Sequence, residues 1–151
     1  MTDVPKPESP RALPAWLAVG APFAVMGDIF FLSSRPHLPD FDGGRDIQSI
    51  SGHFLAYAAL GASLAVLLRR LGWGPMRAFF AAIVLATLYG VTDEFHQSFV
   101  PNRMTDPKDV LVDLLGAMAG TLVAMRLMDW RDESPSGLSD ADPDRPADES
   151  F

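Results

Sequence analysis

Ala78-Phe79-Phe80-Ala81-Ala82-Ile83-Val84-Leu85-Ala86 decides the fold. No residue in this stretch has a polar side chain, so a helix made from it is apolar around its whole circumference. A helix in a water-soluble bundle needs a polar face at helical spacing, and there is none here. The apolar character extends outward over residues 77–97. That is close to the roughly 20 residues an α-helix needs to cross a ~30 Å hydrocarbon core. Three runs of similar length flank it, at 15–32, 51–68 and 110–127. The pattern predicts an all-α polytopic membrane protein, a bundle of four transmembrane helices. Pro22 falls inside the first run and is expected to kink it.

The remaining segments are polar and divide the chain into three parts. Residues 1–13 hold Pro5, Pro7 and Pro10 and read as a flexible cytoplasmic leader. Residues 14–128 form the transmembrane domain. Residues 129–151 are rich in Pro, Ser and Asp and read as a disordered acidic cytoplasmic tail. This tail has eight acids against two Arg, so it supplies most of the chain's net charge of −7. No basic stripe with interleaved aromatics exists, which argues against a nucleic-acid partner. The chain has no cysteine, which excludes disulfides, thiolate nucleophiles and Cys-based zinc sites. Lys6 and Arg11 precede a hydrophobic run that is long for a signal peptide and lacks a clear small-residue cleavage site. The run therefore reads as a retained first span.

Positive charge sets the expected orientation. One side carries seven flanking basic residues, Lys6, Arg11, Arg69, Arg70, Arg77, Arg126 and Arg131. The other carries four, Arg35, Arg45, Arg103 and Lys108. The excess puts both termini in the cytoplasm and turns the loops at 33–50 and 98–108 outward.

Polar residues within the spans collect at that outer side. Asp28 closes the first run, and His53 and Tyr57 open the second. Asp93, Glu94, His96 and Gln97 close the third, and Asp109 and Asp113 open the fourth. At about 100° per residue, Tyr89, Asp93, His96 and Gln97 share one helix face, and His53 and Tyr57 share another with Gly61. Asp109, Asp113, Gly116 and Gly120 form one stripe. The last two are a small-xxx-small pair that lets a neighbouring helix approach closely. Ionisable groups inside a span face a bundle interior or a water-filled cavity and are functional by default. Plainer roles exist for single residues. Asp109 suits a helix N-cap, His96 a structural hydrogen bond, and Tyr57, Tyr89, Trp16, Trp73 and Trp130 an interfacial belt. Such roles leave unexplained why four separate helices bring acids and histidines to one end.

The same residues carry a resemblance. Ser33-Ser34, then His53-Phe54-x-x-Tyr57-x-x-Leu60-Gly61, resembles the VanZ-like family. So does Thr92-Asp93-Glu94-Phe95-His96-Gln97-Ser98-Phe99-Val100-Pro101-x-Arg103, followed by Asp106-x-x-Asp109-Val110 and Gly116-x-x-x-Gly120. The resemblance covers residues 33–120. It implies a bacterial, multi-pass membrane protein, in a family named for a protein associated with teicoplanin resistance. It implies location and context rather than a reaction. The chain departs from the family pattern in three places. Ser49-Ile50 replaces an Asp-Lys pair, Pro101-Asn102-Arg103 replaces Pro-Gly-Arg, and Asp113 replaces Asn. The missing Lys and the extra Asp make the site more acidic than the family pattern.

Three functional expectations follow. The first is a binding or shielding protein at the outer face of the bacterial plasma membrane. It would engage a membrane lipid, a lipid-linked cell-wall precursor or a glycopeptide through His53, Tyr57, Gln97, Arg103, Asp106, Asp109 and Asp113, with Arg103 clamping an anionic group. The second is an intramembrane enzyme acting on a lipid or cell-wall headgroup. Asp93, Glu94 or His96 would be its general acid or base, and Asp109 or Asp113 would orient a group or hold a metal. His53, His96 and the nearby carboxylates are suitable metal ligands, but Glu94-x-His96 matches no established metal motif, and the sequence names no cofactor. The third is a bundle whose polar cluster only fixes helix register or docks a partner protein. Transport is disfavoured, because no chain of carriers crosses the bilayer midplane.

Overall fold

A computed structural model describes residues 14–35, 45–101 and 106–133. The proposed leader at 1–13, the greater part of the tail and Arg103 lie outside the described residues. The described residues fold as four helices, α1 (Ala15–Ser33), α2 (Arg45–Arg70), α3 (Pro75–Gln97) and α4 (Pro107–Glu133), with no strand among them. Each helix contains a span long and apolar enough to cross a membrane.

Two helices outrun their apolar cores. α2 begins at Arg45, inside the segment expected to be loop, and α4 continues to Glu133, into the segment expected to be disordered tail. In both cases the chain lacks a breaker. Nothing from Arg45 to Ile50 is Gly or Pro, and the next Pro after α4 is Pro135. α1 runs unbroken through Pro22, which is buried.

Between α2 and α3 the chain turns through Gly72, whose φ of 85° is the left-handed conformation of a helix C-cap. There the Gly72 N–H donates to the Arg69 carbonyl and the Trp73 N–H to the Leu68 carbonyl, both at 3.1 Å. Pro75 then opens α3, where a missing N–H is harmless. Trp16, Trp73 and Trp130 are exposed at this end of the bundle, beside Arg69, Arg70, Arg77 and Arg126. Trp and Arg are suited to a membrane–water boundary.

Large apolar side chains point outward, among them Phe23, Phe31, Phe80, Leu88 and Leu122. In water such a surface would aggregate, whereas in lipid it is the expected exterior. The interior uses small residues instead. Ala78, Ala82, Ala86 and Gly90 form a buried stripe down α3 at i, i+4 spacing. Opposite it, α2 and α4 press backbone to backbone. A Cβ on Gly120 would strike the Ala58 carbonyl, and one on Gly116 the Phe54 carbonyl. A Cβ on Gly61 would come within 2.5 Å of the Ala117 carbonyl. Glycine is required at these positions because the approach leaves no room for a side chain. α1 packs on α2 and α3 at the periphery.

Candidate functional site

The buried stripe on α3 does not end with Gly90. Its next members are Asp93, Glu94 and Gln97, all buried. The helical repeat that turns the alanines inward therefore turns these polar groups inward as well. They meet the C-terminal end of α1 and the N-terminal halves of α2 and α4, and there they sort into two clusters.

The first cluster lies between α1 and α3. The Ser33 hydroxyl donates to Asp93 Oδ2 at 2.8 Å, and Gln97 Nε2 donates to the same oxygen at 2.9 Å. Gln97 Nε2 also reaches Ser33 Oγ at 3.4 Å. Next to this triad, the Ser34 hydroxyl donates to the Phe30 carbonyl at 2.7 Å and lies 3.0 Å from His96 Nε2. With its one proton committed to Phe30, Ser34 can only accept from His96, which puts the ring proton on Nε2. The His96 ring also stacks on Phe30, with centroids 4.5 Å apart. One level deeper, the Tyr89 hydroxyl donates to the Met26 carbonyl at 2.7 Å. Among the described residues, no buried side-chain oxygen or nitrogen of this seam lacks a partner.

The second cluster lies between α2, α3 and α4. His53 Nδ1 is 2.9 Å from Asp113 Oδ1, and Asp113 is fully buried. An ionised carboxylate only accepts, so Nδ1 carries the proton and Nε2 is left as an acceptor or metal ligand. Ligand atoms of His53, Glu94 and Asp109 lie within 4.8 Å of one another. Glu94 is 8% exposed, and neither of its oxygens has a hydrogen-bond partner in ordinary geometry, although the Asp106 backbone amide is a nearby donor. Asp113 Oδ2 and the Tyr57 hydroxyl are buried without partners as well. Tyr57 lies parallel to the His53 ring at 6.2 Å and tilted to Tyr89 at 6.5 Å. Gly90 makes the space for Asp113, since a Cβ there would come within 2.7 Å of Asp113 Oδ2.

The candidate residues thus separate. Asp93, His96 and Gln97 belong to the α1–α3 seam. Glu94, His53, Tyr57, Asp109 and Asp113 belong to the α2–α3–α4 junction. Asp106 sits at the N-cap of α4, its Oδ1 accepting from the Lys108 N–H at 2.9 Å. It takes the role that suited Asp109, which lies one turn inside the helix with its side chain free for the junction. Asp28 is exposed on α1 and belongs to neither cluster. Arg103 falls in 102–105, outside the described residues. Three further contributors carried no assigned role: Ser33 and Ser34, which supply the α1 side of the first cluster, and Gly90, which admits Asp113. The two serines were visible as the polar end of an apolar run and as the start of the family resemblance, with no partner assigned, and Gly90 gave no signal apart from its place on the inward stripe.

Chemically, the first cluster is a closed hydrogen-bond network, and it fixes the register of α1 against α3. The second is open. It presents an oriented imidazole nitrogen and unpaired carboxylate oxygens, a set that suits a proton donor, a cation or a polar ligand.

A family model described as VanZ/LLP1 matches the chain over residues 16–128, which takes in α1, α2, α3 and α4 up to Met128. No curated protein and no solved structure matches it.

Proposed function

The chain belongs to the VanZ/LLP1 family, and from that premise we propose that it works in the bacterial plasma membrane as a receptor for the polar head of a lipid-linked cell-wall precursor or a glycopeptide. Both termini would lie in the cytoplasm, and the polar end of the bundle would face outward. Binding would shield the precursor or the drug in an antibiotic-resistance-like context.

The observation that carries this reading is Glu94, a buried carboxylate at a three-helix junction whose oxygens have no partner in ordinary hydrogen-bond geometry. Burying such a group without a partner is costly. A headgroup rich in hydroxyls, amides or ammonium groups supplies the missing donors, and Asp109, Asp113 and His53 offer further acceptors beside it. Arg103, in the same loop region, would pair with an anionic part of the ligand. The apolar exterior would accommodate the lipid chain.

Labelled lipid-linked precursor, titrated into the protein in nanodiscs, tests the reading. Glu94→Gln and Arg103→Ala should each weaken binding about tenfold or more, roughly 1.4 kcal/mol. Asp28→Asn should leave binding unchanged. Equal binding by all three variants and the wild type would remove the proposed receptor site. Because the chain has no cysteine, single cysteines introduced at Phe99 and Gly74 report orientation directly. Phe99 should react with a membrane-impermeant thiol reagent from outside, and Gly74 should not.

One observation favours a second reading, an intramembrane enzyme acting on the same headgroup. Asp113 holds His53 in the tautomer that leaves Nε2 free to take a proton. In such an enzyme His53 and Glu94 would do the acid–base work, because Asp93 and His96 are already engaged in the α1–α3 seam. Turnover of a candidate lipid by wild type but not by His53→Asn would support it.

A further inference from the structure

The junction presents three potential ligand atoms from three different helices. His53 comes from α2, Glu94 from α3 and Asp109 from α4, and their ligand atoms all lie within 4.8 Å of one another. Glu94 is the second, independent pointer, because it is more than nine-tenths buried and neither of its oxygens has a partner in ordinary geometry. Asp113 is the third. Its Oδ1 holds His53 Nδ1 at 2.9 Å, which fixes the ring and leaves Nε2 available. A carboxylate behind an imidazole is the usual way a metal-ligating histidine is oriented.

We propose that His53, Glu94 and Asp109 bind a divalent transition-metal ion, with Asp113 positioning the imidazole. The inference goes beyond headgroup binding, because three protein side chains define the site without any lipid. One imidazole nitrogen and two carboxylates suit Zn²⁺ or Mn²⁺, whereas Ca²⁺ and Mg²⁺ take oxygen ligands. Bonds of about 2.0–2.2 Å put tetrahedral ligands about 3.4 Å apart. Side-chain rotations that move the ligand atoms by about 1 Å therefore close the set. A dication offsets charge that three neighbouring carboxylates would otherwise accumulate in a buried site. Three protein ligands also leave a coordination position open, and that position accepts a phosphate or carboxylate oxygen. A metal thus gives an acidic junction the means to hold an anionic headgroup.

The full chain, purified in detergent and stripped with a chelator, is titrated calorimetrically with Zn²⁺ and separately with Mn²⁺, no lipid being added. Wild type should take up about one ion per chain at the junction. Glu94→Gln, nearly the same shape, should weaken uptake at least tenfold, and Asp113→Ala about tenfold through loss of imidazole orientation. Asp28→Asn, which removes an exposed acid outside both clusters, should bind as wild type does. The acidic tail is common to all these proteins, so binding to it cancels in the comparison. Metal just sufficient to saturate wild type should raise its thermal midpoint and raise that of Glu94→Gln by less. Substitution with Co²⁺ reports the ligands, with visible bands in wild type that change in His53→Ala. No uptake by wild type, or equal uptake by wild type and Glu94→Gln, would overturn the proposal. The headgroup reading is tested apart from it. Precursor binding that persists in chelator, with no metal uptake, removes the metal site alone. Metal uptake without precursor binding removes the receptor reading alone.

Discussion

Asp93 and Glu94 are neighbours in the chain and are both buried in the same turn of α3, yet their surroundings are opposite. Asp93 turns toward α1 and accepts from Ser33 and Gln97. Glu94 turns toward α2 and α4 and accepts from no group in good geometry. Adjacent helical positions point about 100° apart, so one Asp-Glu pair can serve two different interfaces. The difference separates a group that completes the fold from one the fold leaves incomplete. A satisfied buried carboxylate stabilises helix register. An unsatisfied one opposes folding and persists where a ligand compensates it.

The junction around Glu94 exists only because α2 and α4 approach so closely. Gly120→Leu tests that directly, since a side chain there runs into the Ala58 carbonyl of α2. Overpacking of this kind should cost on the order of 3 kcal/mol or more. The folded bundle should then fail to accumulate, which detergent-extracted yield and thermal unfolding would report. A normal midpoint would mean that α2 and α4 are not in backbone contact, and the junction would lose its basis. Asp93→Ala attacks the other side of the comparison. It removes the shared acceptor of the Ser33 hydroxyl and the Gln97 amide in a buried seam and should cost about 2 kcal/mol. Asp93→Asn should restore most of that, because its amide oxygen accepts the same bonds. An unaltered unfolding curve for Asp93→Ala would show that the closed network does not contribute to stability.

A smaller effect is expected at the edge of the junction. Asp106 caps α4 through its bond to the Lys108 N–H, so Asp106→Ala should cost about 1 kcal/mol, with Asp106→Asn close to wild type. The ion pair of Asp106 with Lys108 is exposed and 3.9 Å long, too weak to matter beside the cap. If Asp106→Asn weakens ligand binding while leaving stability unchanged, Asp106 belongs with Glu94 rather than with the capping groups.

The sequence made the architecture readable because lipid imposes a strong and simple rule. A stretch such as Ala78 to Ala86 has no polar side chain, and the apolar run that contains it reaches the length a membrane-spanning helix needs. The GxxxG pair on α4 pointed to a close helix contact for an equally simple reason, since glycine adds no bulk. Helix ends were less readable. Polar residues such as Asp46 and Gln48 continue a helix as readily as they form a loop, and only Gly or Pro would have stopped α2. Spacing correctly grouped Asp93, His96 and Gln97 on one face and Asp109 and Asp113 on one stripe. It could not assign Glu94 to a cluster, because the partner of each face depends on how α1 and α4 are arranged around α3. Nor could it show that Ser33 donates to Asp93 and Ser34 accepts from His96, which follows only from where α1 ends.

The smallest predicted change in stability bears most heavily on the comparison. Glu94→Gln removes a buried carboxylate that has no partner and replaces it with an amide of nearly the same shape. The amide brings donors of its own, and Asp113 Oδ2 and Asp109 lie on the same side as possible acceptors. In metal-free, lipid-free protein the variant should unfold within about 0.5 kcal/mol of wild type or be slightly more stable, because losing both a charge and its unmet demand can be neutral or favourable. Ordinary structural carboxylates do not behave this way, since losing one strands the groups it had paired, as Asp93→Ala is expected to do. A marked destabilisation of Glu94→Gln without ligand would therefore mean that Glu94 has a structural partner after all, and the contrast between the two neighbours would collapse. Near-equal stability combined with lost binding would place Glu94 among residues kept for what they bind and not for the fold, which is the pattern expected where stability is given up for a site.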